Sequence, residues 1–133
     1  MKMFGGIFMT VGYLAAAFEV VTVRDLDLIQ QARQRCTRLV VGVLRDEEIV
    51  RQYGRRPVTP LLERIAVVRH LRGVDEVVVH DGRSVTKLHE VRFAEPGGLS
   101  GSSRDAMVLS PRRQTSSRVL GRALRHALDR DVA

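Results

Sequence analysis

Residues 16–47 read AAFEVVTVRDLDLIQQARQRCTRLVVGVLRDE, and this stretch decides the fold. Thr22 is placed to cap a helix, with Asp25 three residues later as its capping-box partner. Leu26, Ile29 and Arg33, joined by Leu28 and Ala32, recur at helical spacing and predict a helix over about 23–35. Residues 39–44 follow as an unbroken apolar run, the pattern of a parallel strand covered on both faces. A helix feeding directly into a buried strand predicts a right-handed crossover unit in an α/β sheet.

The flanks repeat the alternation. A strand is expected over about 8–14, a short helix over 46–52, and a turn at Gly54-Arg55-Arg56-Pro57. Pro60 opens a helix to about residue 71, with Leu61, Ile65, Val68 and Leu71 on one side. A strand over 76–79 ends at His80-Asp81-Gly82. Ligands of parallel sheets sit outside the carboxyl ends of the strands, which groups the segment 13–18, the loop after Val43 and His80. Beyond Asp81 the pattern weakens. Residues 84–91 suit a short helix, 95–105 a flexible Gly/Ser loop, and 106–109 a short strand. Ser116 or Ser117 caps a final helix reaching about residue 130. Val119, Leu120, Ala123, Leu124, Ala127 and Leu128 form its apolar stripe, with Arg118, Arg122, Arg125 and Arg130 around it.

The 133 residues suit a single domain, with residues 1–8 as a candidate extension. A net charge of +7 favours anionic partners, whether nucleic acid, an anionic membrane surface or a phosphorylated small molecule. The chain has no Trp, so a base-stacking surface is poorly supported. The arginines of the last helix also spread around it instead of forming a groove-reading face, so nucleic acid is disfavoured. No segment is long and apolar enough for a membrane span, and the N-terminus lacks a clear leader, so a cytoplasmic protein is expected. Cys36 is the only cysteine, which excludes an intrachain disulfide and a thiolate zinc cluster and suits a buried structural thiol. No two histidines have ligand spacing, so no dedicated metal site is expected; Mg²⁺ would arrive with a nucleotide.

Multiple segments together resemble the glycerol-3-phosphate cytidylyltransferase-like nucleotidyltransferases. They are Gly12-Tyr13, Phe18-Glu19, the apolar run before Asp46-Glu47, Gly54-x-x-Pro57-Val58-x-Pro60, Glu63-Arg64, Val68-Arg69 and Gly73-Val74-Asp75-Glu76-Val77. Near the C-terminus Thr115-Ser116-Ser117 resembles the hydroxyl cluster that opens the family's last helix. The resemblance covers roughly residues 9–81 and 106–128. It implies a Rossmann-like parallel sheet with flanking helices, here shortened in its C-terminal half, usually in a dimer. It also implies a reaction joining CTP to a phosphorylated alcohol with release of pyrophosphate.

The family's His-x-Gly-His signature falls on Thr22, Val23, Arg24 and Asp25, so Thr22 and Asp25 are degenerate catalytic positions. By the same resemblance Tyr13, Phe18, Arg24, Arg55, Arg64, Thr115, Ser116 and Ser117 are the candidate binders of CTP or another nucleotide. A carboxylate about 4 Å from a phosphate charge is repelled by roughly 1 kcal/mol in water, and by more in a drier site. Loss of one transition-state donor costs on the order of 100- to 1000-fold in rate. The expectation is a homodimeric relative that binds a nucleotide or phosphorylated small molecule, with ordinary transfer disfavoured. Alternatives are a non-catalytic regulatory subunit, or an enzyme repurposed for other chemistry with Glu19, Asp25 and His80 as acid–base groups.

Overall fold

A computed structural model describes residues 2–4, 7–81, 91–96, 106–110 and 117–131. Its elements in chain order are β1 (Lys2–Phe4), β2 (Ile7–Met9), β3 (Val11–Ala16), α1 (Val23–Arg33), β4 (Arg38–Leu44), α2 (Asp46–Tyr53), α3 (Leu61–Arg69), β5 (Glu76–His80), β6 (Val91–Ala94), β7 (Met107–Val108) and α4 (Ser117–Asp131). Five strands form one sheet in the order β5-β4-β3-β6-β7, and every neighbouring pair is parallel. This is the Rossmann-like sheet expected from the sequence.

The chain builds outward from β3 to β4 and β5, then returns to β3's other edge with β6. Strand order therefore reverses between β3 and β6, and sheets of this kind take their ligands at the carboxyl ends beside such a reversal. Tyr13 pairs with Val40 on one side and Arg92 on the other.

Alternation along β3 and β4 feeds two cores, because successive side chains leave opposite faces. Leu14, Ala16, Leu39, Val41 and Val43 join Leu28, Ile29 and Ala32 of α1 and Val68 of α3. Tyr13, Ala15, Val40 and Leu44 face the other way and pack against Ile49 of α2. Gly54 ends α2 with φ of +71°, the left-handed conformation that glycine adopts without side-chain strain. Cys36 is half-buried against the first core, its Sγ donating to the Ala32 carbonyl at 3.3 Å, and burial pushes its thiol pKa up.

Several sequence expectations change. The first sheet strand spans 11–16, not 8–14, while residues 2–4 and 7–9 pair as an antiparallel hairpin with Lys2 opposite Met9. Two short strand-forming triplets, Lys2–Phe4 and Ile7–Met9, flanking Gly-Gly are a hairpin signal that a single long strand obscures. In α1 the buried face is Asp25, Leu28, Ile29 and Ala32, and Leu26 is 41% exposed. The helix turns Asp25 inward because its carboxylate is bonded at the cap. Strand β6 has no counterpart in the expected elements: Val91 opens a strand instead of ending a helix, and residues 84–90 lie outside the described residues. The Gly/Ser loop is described only at Glu95 and Pro96. In α4 the anticipated apolar stripe is not a buried one, since Val119, Leu124 and Leu128 are all exposed. Among the described residues no helix is long and apolar enough to cross a membrane.

Candidate functional site

At the carboxyl ends of β3 and β6 the segment 17–22, the N-terminus of α1 and Glu95 follow the two strands, and Arg24 joins Glu95 there. Phe18 turns the chain with a φ of +51°, a left-handed value that costs a side-chain-bearing residue on the order of 1–3 kcal/mol. Burial of its ring, 2% exposed, offsets that strain. The turn directs Thr22 to the start of α1.

At that helix end, Asp25 accepts the Thr22 amide at 2.8 Å and the Thr22 hydroxyl at 3.2 Å through one carboxylate oxygen. Asp25 is 2% exposed. Burial raises its pKa above the ordinary value; the Thr22 hydrogen bonds pull it down, and the Glu95 charge pushes further up. A helix N-terminus suits anions because its amides are unsatisfied and its dipole is positive. Here a carboxylate of the chain itself already lies at that end.

Arg24 reaches from α1 to Glu95, Nη1 to Oε2 at 3.0 Å, with both side chains largely buried. The other two arginines expected to bind anions are engaged likewise. Arg55 holds Glu19 with two bonds of 2.7 Å, a bidentate fork onto a carboxylate with no exposed surface. Arg64 is 1% exposed. Its guanidinium donates to the carbonyls of Thr59 at 2.9 Å, Ala17 at 2.8 Å and Leu44 at 2.6 Å, and to the Asp46 carboxylate. It therefore fastens the carboxyl ends of β3 and β4 to the start of α3.

Glu19 is a hub that the sequence reading placed only among alternative acid–base groups. Besides Arg55 it accepts the Val58 amide at 3.4 Å, and its carbonyl accepts the Thr59 hydroxyl at 2.8 Å. Gly121 of α4 presses on it so closely that an added Cβ would lie 2.7 Å from Oε2. Glu19 thereby joins the 17–22 segment, the 54–60 turn and α4. A cleft of about 250 Å³ opens beside it, lined by Phe18, Val20, Val21, Glu63 and Val67.

Tyr13 and His80 stand apart, with Tyr13 in the α2-facing core. The Tyr13 ring crosses β4 over Gly42, and its hydroxyl meets His80 Nδ1 at 2.7 Å. Only a glycine leaves room, since a Cβ at residue 42 would come within 2.0 Å of the Tyr13 oxygen. Burial, helped by the Asp81 charge, pushes the Tyr13 pKa up to about 12, so the phenol keeps its proton. Burial lowers the His80 pKa, against the pull of Asp81 and Glu48. Among the described residues His80 Nε2 has no hydrogen-bond partner.

The structure thus brings Thr22, Arg24 and Asp25 together, with Phe18 in the adjoining loop. Arg55 and Arg64 are tied to the loop from beneath, and Tyr13 lies apart. Thr115 and Ser116 lie outside the described residues, and Ser117 opens α4. Glu95 was missed because it sits at the edge of a Gly/Ser stretch read as loop. Its signal was weak, a lone carboxylate after an unrecognised four-residue strand. Among the described residues no three His, Cys, Asp or Glu side chains are grouped to hold a metal ion.

The sequence profile of the family described as cytidylyltransferase-like matches residues 13–119. The chain is 37% identical over 75 residues to an ethanolamine-phosphate cytidylyltransferase of Arabidopsis thaliana, covering 56% of this chain and 18% of that one. It is 26% identical over 112 residues to an FAD synthase of Pyrococcus abyssi, covering 84% of this chain and 70% of that one. The crystal structure of the lipopolysaccharide core biosynthesis protein from Thermoplasma volcanium shares the fold. It has a TM-score of 0.66 over 81% of this chain and 100% of its own, at 14% identity. The chain spans less than a fifth of the length of the Arabidopsis relative.

Proposed function

The chain belongs to the cytidylyltransferase-like family, and from that premise we propose that it holds a nucleotide or another phosphorylated small molecule in a crevice at the carboxyl ends of β3 and β6 without efficient nucleotidyl transfer. Three features support binding: the crevice lies at the strand-order reversal, the N-terminus of α1 opens onto it, and Arg24 supplies a cation there. The relatives' names, an ethanolamine-phosphate cytidylyltransferase and an FAD synthase, belong to enzymes that handle nucleotides.

One observation carries the loss of transfer. The Asp25 carboxylate sits at the N-terminus of α1 and takes up both the amide and the hydroxyl of Thr22. Stabilising a pentacoordinate phosphorus requires donors aimed at developing negative charge. Thr22 has the only neutral side-chain donor of the four signature positions, and its proton is directed at an internal carboxylate. A polyphosphate at this end would meet a negative charge where the reaction needs a donor.

Calorimetric titration with CTP, ATP and glycerol 3-phosphate tests the binding half. Saturable heat with at least one of them is expected, and no heat at millimolar ligand contradicts it. Substituting Thr22→His, Arg24→Gly and Asp25→His together tests the other half, with pyrophosphate release expected to rise.

The reading includes a homodimer. Val119, Leu124 and Leu128 of α4 are exposed. Pairing this helix with that of a second copy covers the apolar residues. Light scattering at micromolar protein is expected to give twice the chain mass; a monomer there contradicts it.

A further inference from the structure

We infer that Glu95 is a built-in competitor for the ligand's phosphate: its carboxylate occupies the Arg24 guanidinium, and an anion enters the crevice by taking Glu95's place. This rests on the reading that the crevice takes a phosphate-bearing ligand, and it assigns the residue that limits that ligand's affinity.

The geometry sets the competition. Arg24 and Glu95 meet at 3.0 Å across the strand-order reversal, from the first turn of α1 and the end of β6. Their side chains are 10% and 14% exposed, so water screens the pair weakly and it holds without an outside ion. A carboxylate and a phosphate oxygen make the same kind of charge-assisted bond to a guanidinium, so one can replace the other at the same donor. A phosphate can also reach the amides at the start of α1, whereas Glu95 is tethered to β6. Asp25 adds to the competition. Its carboxylate is close enough to Glu95 for the two negative charges to repel, so Glu95 is held at Arg24 against a neighbour of like sign.

The three arginines described around this end of the sheet are each matched by a carboxylate. Arg24 is matched by Glu95, and Arg55 and Arg64 are matched by Glu19 and Asp46. Of these three carboxylates, Glu95 alone follows a sheet strand of four residues, and its partner alone lies at the mouth of α1. Glu19 is fixed by three elements and cannot leave without unfastening them.

The test compares the wild type, Glu95→Gln, Arg24→Met and the double variant, using CTP and inorganic pyrophosphate as probes in calorimetry. Circular dichroism melts of each confirm the fold. Glu95→Gln is expected to bind both probes about tenfold more tightly or better, as for a competing charge removed from one site. The gain must vanish in the double variant, which lacks the guanidinium. Equal affinity of wild type and Glu95→Gln, or a gain that survives Arg24→Met, overturns the inference while leaving crevice binding intact. Binding by Glu95→Gln alone supports the inference and contradicts ligand binding by the wild type. No binding by any of the four overturns both.

Discussion

Replacing Arg64 tests whether this arginine is a fastener or a ligand-binding group. Its guanidinium is 1% exposed and makes four hydrogen bonds, three of them to backbone carbonyls. In Arg64→Leu those carbonyls lose their donor in a site too closed for bulk water. Each unsatisfied group costs roughly 1–3 kcal/mol, so the three together cost about 3–9 kcal/mol. The Asp46 bond adds little, because that carboxylate is 41% exposed and water replaces its partner. Buried leucine surface returns about 2 kcal/mol, which leaves about 4 kcal/mol at the middle of that range. That is a large fraction of the roughly 5–15 kcal/mol holding a typical domain together. Arg64→Lys keeps a charge and three protons on one nitrogen, and cannot span carbonyls contributed by three segments. About half the loss should remain. Urea unfolding followed by circular dichroism measures both variants. A loss below about 1 kcal/mol for Arg64→Leu refutes the fastener. So does unchanged stability accompanied by a loss of nucleotide affinity.

Two further outcomes follow from the same contacts. Gly42→Ala places a methyl where the Tyr13 oxygen lies, so the ring shifts and the His80 bond breaks; a loss of about 1–3 kcal/mol is expected, smaller when Tyr13→Phe is already present, and additive losses contradict it. Asp25 titrates above its ordinary value in the folded chain, so the fold favours its protonated form. Its contribution is full below the unfolded pKa of 3.8 and declines as pH rises through the raised folded value. Asp25→Asn should therefore gain on the wild type as pH rises through that window, in urea titrations from about pH 3 to about pH 7. A relative loss over the same range contradicts the burial argument.

The crossover from α1 to β4 was legible because burial on two faces leaves an unbroken apolar run, and Thr22 with Asp25 marks the helix start. The alternation of strands and helices grouped residues 13–18, the loop after Val43 and His80 around one crevice, whereas Tyr13 bonds His80 apart from Thr22, Arg24 and Asp25. What the residues would be doing there was less legible. Arg24, Arg55 and Arg64 read as free cations because a sequence does not reveal that Glu95, Glu19 and Asp46 lie within bonding distance, 71, 36 and 18 residues away. Such pairings depend on which strands become neighbours. Strand β6 escaped notice for a related reason: four residues are too few for a period, and its place in the sheet comes from pairing with β3. The exposed stripe of α4 has the spacing of a buried one, and only the tertiary arrangement shows it uncovered.

Pyrophosphate release from CTP and Mg²⁺, with ethanolamine phosphate or glycerol 3-phosphate as acceptor, measures whether the protein carries out nucleotidyl transfer. With Asp25 at the mouth of α1, the wild-type chain should release no pyrophosphate above the enzyme-free control. Turnover on the order of 10 per second, usual for enzymes, would contradict it and show that Thr22, Arg24 and Asp25 sustain the transfer.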